Sequence, residues 1–144
     1  MRIIIQTPKP GEEESIIVNV GTMTDKISRA INILKSPDDL TVHIDDQTFL
    51  LPISNVFYAE TVDQKTFVYA EKEVYRSRLK LYEVEEHLIA GDFLRISKQV
   101  IVNVKKIRSV APAGEGRFSA KLTNGETVII SRQFVPALKE RFGL

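Results

Sequence analysis

Apolar and polar residues alternate along most of the chain after Leu40, in short runs separated by turn-forming residues. A period of two is typical of a β-strand with one buried face, and Asn124-Gly125 between two such runs is typical of a hairpin turn. The pattern therefore predicts an antiparallel, strand-rich fold. The predicted strands are LTVHI, TFLL, VFYAETV, KTFVYA, VYRSR, DFLRI, IRSVAP, RFSAKL and TVIIS, and the segment SKQVIVNV is predicted to be irregular.

Three helices are predicted, the first two from the three- and four-residue apolar spacing of an amphipathic helix. The first runs from Asp25 to about Lys35 and follows Thr24, whose hydroxyl suits the N-cap position. The second is short and covers 81–89. The third covers about 132–141 and follows Ser131, which is predicted to cap it. Short helices among many strands place the protein in the α+β class.

The first 40 residues differ in pattern from the rest. Two apolar runs, Met1–Thr7 and Ser15–Val20, predict strands on either side of PKPGEEE, whose prolines and glycine cannot continue a strand. With the helix that follows, they predict a β-β-α appendage over residues 1–40, too small to be an independent domain. We expect this appendage to serve in dimerisation or regulation, and residues 41–144 to form the main domain.

The composition is that of a globular protein without thiol chemistry. Hydrophobic residues make up 43% and charged residues 27% of the 144 residues, which is enough to build a core without disulfide or metal staples. The absence of cysteine excludes thiolate metal sites, redox switches and disulfides. The opening segment MRIIIQTPKPGEEE lacks the long apolar stretch of a signal peptide, so we expect a cytoplasmic protein.

The charge of the chain is unevenly distributed. The formal net charge is only +1, but residues 1–60 carry five basic and nine acidic residues, a net of −4. Residues 93–144 carry ten basic and three acidic residues, a net of +7. A basic region of this kind indicates a polyanionic partner or a solvated basic surface, and charge alone leaves both interpretations open.

The sequence offers little catalytic chemistry. It contains no recognisable nucleophile with its base, metal-ligand cluster or phosphate cradle. His43 lies among apolar neighbours in a predicted strand and His87 on a polar helix face, and neither has a second ligand at metal spacing. We therefore expect no enzyme activity, no metal and no cofactor.

Many of the basic residues lie where the backbone is predicted to turn, and turns project side chains outward. Interleaved Ser, Thr and Gln residues add hydrogen-bonding groups to this charge, a combination that suits phosphates and base edges. Ordinary turn and cap residues remain the alternative interpretation. The positions concerned are Lys65 and Thr66, the segment Arg95–Gln99, Lys105 and Lys106, and the segment Ser131–Gln133.

The motifs of the second half, taken in order, resemble a known family. The stretch Asp92–Ile107 (DFLRISKQVIVNVKKI), then Asn124–Glu126, then Ser131-Arg132, is similar to the signature of the LytTR DNA-binding domain of bacterial transcription regulators. The strands from about Phe57 onward also follow its pattern, so the resemblance covers roughly residues 45–144. The ordered combination is far more specific than any one motif.

The resemblance implies an elongated antiparallel β fold of small stacked sheets that reads successive major grooves of double-stranded DNA through loops. It implies base contacts at Lys65 or Thr66, at Lys98 and at Arg132. Thr66 and Lys98 depart from the His or Asn found in family members, so the target sequence cannot be copied from a relative. The implied phosphate contacts are Arg95, Ser97, Gln99, Lys105, Lys106 and Gln133. We expect Asn103, within the signature, to hydrogen-bond the backbone instead.

The resemblance also has implications for the domain composition and the partners of the protein. Since about 40 residues precede the main domain here, we expect no phosphoacceptor receiver domain. The chain therefore resembles the short family members, which implies a homodimer on a repeated DNA site and control by a membrane-protein inhibitor. The alternative is a small β-rich module that binds RNA or an acidic protein. RNA recognition usually displays stacking aromatics, and Phe118 is the one aromatic among the basic loops from Arg95 to Arg132.

Overall fold

Each alternating run after Leu40 forms a strand in the computed structural model, which describes residues 1–35, 38–88 and 92–144. The segment predicted to be irregular contributes one strand more, because its chain bends at 97–99 and then extends as β7. The elements are α1 (Asp25–Lys35), β1 (Asp39–Ile44), β2 (Gln47–Pro52), β3 (Tyr58–Val62), β4 (Lys65–Tyr69), β5 (Val74–Ser77), α2 (Leu81–His87), β6 (Phe93–Arg95), β7 (Val100–Asn103), β8 (Ile107–Gly114), β9 (Arg117–Leu122), β10 (Thr127–Ile130) and α3 (Val135–Phe142).

The strands form two antiparallel sheets. The large sheet has seven strands in the order β2-β1-β5-β4-β3-β7-β6, and the small sheet has three in the order β10-β9-β8. In the large sheet β3 lies between β4 and β7, pairing Val62 with Lys65 on one side and Glu60 with Val100 on the other. The turn of the β3–β4 hairpin and the start of β7 therefore lie at the same end of the large sheet.

At β7 the large sheet is buried on both faces, as two consecutive residues of this strand show. Ile101 belongs to one hydrophobic cluster and Val102 to another, because successive side chains of a strand point to opposite faces. The first core packs α2 against the large sheet through Val84. The second packs the small sheet and α3 against the opposite face, through Ile130 and Leu138. The expected α+β fold of stacked antiparallel sheets is confirmed.

Polar side chains join the β9–β10 hairpin to the large sheet. Tyr58 stacks on Tyr69, with ring centroids 4.2 Å apart, and the Tyr69 hydroxyl donates to Glu60 at 3.1 Å. Burial raises the pKa of Tyr58 far above its usual value, and the nearby carboxylate of Glu126 adds to the shift. The Asn124 side chain donates to the carbonyl oxygen of Glu71 at 3.4 Å. The hairpin predicted at Asn124-Gly125 thus helps to set the position of the small sheet.

The N-terminal strands predicted at Met1–Thr7 and Ser15–Val20 are wrong, because residues 1–23 form no helix or strand in the structure. A strand needs a hydrogen-bonding neighbour, and both sheets are built from later residues. Ile3 and Ile17 remain 81% and 79% exposed. The helix prediction is confirmed: α1 begins after Thr24, whose hydroxyl accepts a hydrogen bond from the Ile27 amide at 3.3 Å, but no residue of α1 is buried.

The two later helices differ in their bounds from the prediction. Helix α2 ends at His87, and residues 89–91 lie outside the described part of the chain. Helix α3 begins at Val135 after a 3-10 turn at 132–134, and the Ser131 side chain makes no cap hydrogen bond, so the predicted cap is wrong. Pro136 is the reason for the later start, because it has no N–H to donate inside a helix. None of the described helices is long and apolar enough to span a membrane.

Candidate nucleic-acid interface

The first candidate position is the tip of the β3–β4 hairpin. Asp63 and Gln64 form its turn with positive φ angles of 50° and 64°, which the favoured two-residue hairpin turns require. Lys65, the first residue of β4, is exposed, whereas Thr66 is only 3% exposed and pairs with Ser77 of β5. Thr66 therefore does not present its side chain at this surface in the free protein, and Lys65 does.

Gln64 is a residue that the sequence reasoning did not single out. Positive φ is uncommon for residues other than glycine, asparagine and aspartate, and an unusual backbone conformation is a reason to look for function. Its exposed side chain carries an amide at the extreme tip of the hairpin. The signal in the sequence is the pair Asp63-Gln64 between two predicted strands, which is typical of a turn.

The second candidate position is the bend at 97–99 between β6 and β7. The Ser97 hydroxyl accepts a hydrogen bond from the Gln99 amide at 3.2 Å, and the Ile96 amide donates to Val100 at 3.0 Å. Ile96 is buried, whereas Lys98 and Gln99 are exposed. The bend thus has a fixed base in the core and an exposed lysine.

Arg95 clamps this bend to α2. Its guanidinium group donates to the carbonyl oxygen of Lys98 at 2.7 Å and pairs with both carboxylate oxygens of Glu85 at 3.3 and 3.5 Å. A planar guanidinium group suits such a two-sided arrangement, which an ammonium group does not reproduce. In the free protein Arg95 therefore holds the Lys98 backbone rather than projecting into solvent.

The third candidate position is the junction between β10 and α3. The Ser131 amide donates to the carbonyl oxygen of Ile96 at 2.8 Å. Arg132 and Gln133 follow in the 3-10 turn and are exposed. Instead of capping a helix, Ser131 attaches the start of this turn to Ile96, the buried residue that precedes the bend at 97–99.

Main-chain hydrogen bonds link all three positions. The Thr61 amide donates to Gln99 at 2.9 Å, which joins the β3–β4 hairpin to the bend, and the Ser131–Ile96 bond joins the bend to the third position. The structure therefore brings Lys65, Lys98 and Arg132 along one edge. We call this edge, formed by 63–65, 97–99 and 131–133, the loop edge.

The β8–β9 hairpin, which the sequence predicts as two strands but not as part of the interface, adjoins the loop edge. The β8–β9 hairpin tip, 114–117, borders a cleft of about 390 Å³ that is lined by Glu115, Arg117, Ser131 and Arg132. Arg117 is exposed, and its Nε donates to the carbonyl oxygen of Gly114 at 3.4 Å. The cleft therefore brings a second arginine beside Arg132. Charge alone indicated Arg117, but its neighbourhood depends on contacts between distant segments.

Four cations of this surface have no carboxylate partner. Within the ranges that the structure describes, the ion pairs join Arg95 to Glu85 and Lys105 to Asp92. The cations left without one are Lys65, Lys98, Arg117 and Arg132. Unpaired surface cations on one edge of a domain attract a polyanion, since its binding releases condensed counterions. Over the same described residues no group of acidic or histidine side chains forms a metal site.

Lys105 and Lys106 are not brought to the loop edge. They follow β7 at the end of the large sheet where Phe57 lies, and the Lys106 ammonium is 5.1 Å from the centre of the Phe57 ring. Strand β3, about 13 Å long at the usual rise of 3.3 Å per residue, separates this end from the hairpin tip at 63–65. Lys105 pairs with Asp92 at 3.4 Å.

Asn103 has the structural role expected from the sequence. It is 3% exposed, its side-chain amide donates to the carbonyl oxygen of Val56 at 2.9 Å, and its side-chain oxygen accepts from the Lys105 amide at 3.0 Å. Satisfying a buried amide in this way avoids a penalty of about 1 to 3 kcal/mol. Asn103 therefore fixes the end of β7.

A family model described as the LytTr DNA-binding domain matches residues 46–143. The chain belongs to the LytTR DNA-binding domain family. This confirms the resemblance drawn from residues 45–144, and the family is defined by DNA binding rather than by an enzyme activity. A solved LytTr DNA-binding domain from Bacillus cereus superposes with a TM-score of 0.72 at 29% identity, covering 76% of this chain and all of that domain.

The chain is also similar in sequence to regulatory proteins over nearly its whole length. A Staphylococcus aureus protein (strain MRSA252), named as an uncharacterized HTH-type transcriptional regulator, is 26% identical over 142 residues, which cover 99% of this chain and 89% of that protein. The sensory transduction protein LytT of Enterococcus faecalis is 26% identical over 141 residues, covering 94% of this chain. The match spans only 58% of the length of that second protein.

Proposed function

We propose that this protein is a transcription regulator that binds double-stranded DNA sequence-specifically and reads major grooves through the loop edge. The observation that carries the proposal is the pair of main-chain hydrogen bonds that align Lys65, Lys98 and Arg132 within a LytTR domain. The names of the relatives, a transcriptional regulator and a sensory transduction protein, point the same way.

In this proposal the base contacts come from the exposed side chains of the loop edge. Arg132 donates two hydrogen bonds to guanine O6 and N7, and Lys98 donates to an acceptor in the same groove or the next. Lys65 acts from the hairpin tip together with Gln64, whose amide has the donor and acceptor pattern that suits adenine. Thr66, being buried, supports the tip and does not contact a base.

Phosphate contacts flank these positions. Ser97, Gln99 and Gln133 donate from the same loops, and Arg117 adds a cation from the neighbouring hairpin. Arg95 acts mainly as the clamp of the bend, and any phosphate contact it makes competes with Glu85. Lys105 and Lys106 contact phosphate only if the DNA also passes the opposite end of the large sheet.

The biological setting follows the family. We propose a cytoplasmic, non-enzymatic protein without a cofactor, which acts as a homodimer on a repeated site under the control of a membrane-protein inhibitor. Residues 1–40 serve dimerisation or inhibitor docking, and residues 41–144 bind DNA. The exposed Ile3 and Ile17 support this division, since unburied apolar residues outside the domain are available to a partner.

A competition experiment tests the central claim. Duplexes are selected from a random-sequence pool by the full chain, and binding is then compared for a selected duplex, a scrambled duplex of the same composition and single-stranded RNA. We expect the selected duplex to bind about 1,000-fold or more tighter than the scrambled one at physiological salt. Equal binding of the two duplexes, or preference for the RNA, contradicts the proposal; the latter supports the RNA-binding alternative.

A further inference from the structure

The tip of the β8–β9 hairpin touches the side chain of Arg132. A Cβ atom added at Gly116 would lie 2.8 Å from Cδ and 3.0 Å from Cγ of Arg132. Separations below 3.0 Å essentially never occur for real Cβ atoms. The aliphatic stem of Arg132 therefore packs directly on the backbone of Gly116, in space that any other residue would fill.

The backbone conformation of the hairpin does not by itself explain this contact. Gly114 and Gly116 both have positive φ, 83° and 77°, so both positions favour glycine. A Cβ at Gly114 would meet nothing within 4 Å. The two glycines thus carry the same conformational requirement, and Gly116 alone also makes room for Arg132.

We propose that Gly116 is a positioning residue for Arg132, holding the arginine stem so that its guanidinium group reaches a base edge. This inference rests on the proposed function, in which Arg132 reads guanine. Two supports then act on the one side chain: the Ser131 amide bonded to Ile96 fixes its backbone, and Gly116 fixes its stem.

The contact matters more to recognition than to folding. When a Cβ is added at Gly116, the atoms that must move belong to a flexible side chain, so the fold tolerates the change apart from the positive φ. A two-point contact with guanine depends on the direction of the guanidinium plane, whereas attraction to phosphate depends mainly on its charge. Displacing the stem therefore weakens sequence reading and leaves nonspecific binding largely intact.

The test compares Gly116→Ala with Gly114→Ala in the full chain, using the selected duplex and the scrambled duplex as probes. Gly114→Ala is the matched control, because it imposes the same strained φ on the same hairpin without reaching Arg132. We expect Gly116→Ala to weaken binding to the selected duplex by roughly 3-fold or more, within the loss caused by Arg132→Ala. Binding to the scrambled duplex changes little, and Gly114→Ala leaves both affinities near those of the unchanged protein.

A second pair of variants covers the case in which alanine destabilises the hairpin. Asparagine tolerates positive φ better than alanine, so Gly116→Asn and Gly114→Asn repeat the comparison, with thermal unfolding measured for all four variants. The double variant Gly116→Ala/Arg132→Ala tests whether the two residues act together. We expect it to bind the selected duplex no more weakly than Arg132→Ala alone.

The outcomes separate this inference from the function on which it rests. Suppose that Arg132→Ala lowers binding to the selected duplex only. If the Gly116 and Gly114 variants then lose the same affinity for that duplex, or lose none, the positioning role is wrong and the proposed function stands. Additive losses in the double variant also contradict it. If Arg132→Ala lowers binding to both duplexes equally, the base-reading role of Arg132 fails first.

Discussion

Arg132 and Arg95 lie near the same edge, and their neighbours give them different roles. Arg95 donates hydrogen bonds to Glu85 and to the carbonyl oxygen of Lys98. Arg132 has no such partner among the described residues, and its stem rests on Gly116. An arginine whose donors are already satisfied organises the protein, whereas one held in place with free donors is ready for a ligand.

The first prediction concerns Arg132. Arg132→Ala is expected to cost about 1 to 3 kcal/mol on the selected duplex and much less on the scrambled one, because it removes a two-point guanine contact. Arg132→Lys keeps the charge and loses the planar fork, so its binding to the selected duplex stays close to that of the alanine variant. Competition binding measures both. Full recovery by lysine would assign Arg132 to phosphate.

The second prediction concerns the clamp. Glu85→Gln turns the ion pair with Arg95 into a weaker neutral hydrogen bond, loosens the Lys98 bend, and is expected to cost up to about 1 kcal/mol on the selected duplex. If Arg95 instead contacts phosphate, the same change frees its charge and strengthens binding to every duplex. The two roles therefore give opposite signs in one titration. Glu86→Gln, an exposed neighbour with the same change of charge, is the control.

At the scale of elements, strand ends rather than a helix form the proposed interface. The three components of the loop edge come from the β3–β4 turn, the bend before β7 and the turn after β10. Each has its base in the large sheet or the second core, as the burial of Ile96 shows. Loops on a rigid base keep long side chains in register with a ligand, which is the common arrangement for binding sites.

The third prediction concerns α1 and the residues before it. A chain starting at Asp38 keeps the hydrogen bond from the Ile53 amide to the carbonyl oxygen of Asp38, and none of residues 1–35, the part of the removed segment that the structure describes, is buried. We expect its melting temperature and single-site DNA affinity to match those of the full chain, whereas self-association in sedimentation velocity is lost.

A variant of the full chain refines this test. Ile31→Asp places a charge on the apolar face of α1 without shortening the protein. It is expected to reproduce the loss of self-association if that face is the dimer contact. Unchanged self-association of the truncated protein would remove the dimerisation role of residues 1–40, and inhibitor docking would then be the role left to examine.

At the scale of the whole molecule, the basic residues divide between two ends of the large sheet. Lys65 and Lys98 lie on the loop edge, while Lys105 and Lys106 lie at the end marked by Phe57. The division raises the question of how far the DNA extends along the domain. Salt dependence answers it, because each neutralised phosphate adds about −0.9 to the slope of log K against log salt.

The fourth prediction uses this slope. If the DNA also passes the end of the large sheet marked by Phe57, the double change Lys105→Ala/Lys106→Ala is expected to weaken the selected and scrambled duplexes alike and to make the slope shallower by about 0.9 for each lysine that contacts phosphate. The control is the double change Lys26→Ala/Arg29→Ala in α1, which removes two positive charges outside the matched domain. An unchanged slope would confine the DNA to the loop edge, and a changed sequence preference would assign these lysines to bases.

The sequence by itself determined the strands and hairpins after Leu40, with the exception of β7, and the presence of α1. Their signals are local: alternation places a side chain on one face or the other, and Thr24 or Asn124-Gly125 acts within a few residues. The family signature came from the sequence as well, and with it Lys98 and Arg132. The burial of Thr66 could also have been predicted, because Thr66 and the buried Val68 lie on the same face of the strand.

Only the tertiary structure decided which of these residues meet. The loop edge depends on the bonds Thr61–Gln99 and Ser131–Ile96, and the support of Arg132 depends on Gly116, all between segments far apart in the chain. The N-terminal runs show the converse, because apolar runs without a neighbouring strand to pair with formed no sheet. A local pattern sets what a segment can become, but a hydrogen-bonded or packed partner exists only once the whole chain has folded.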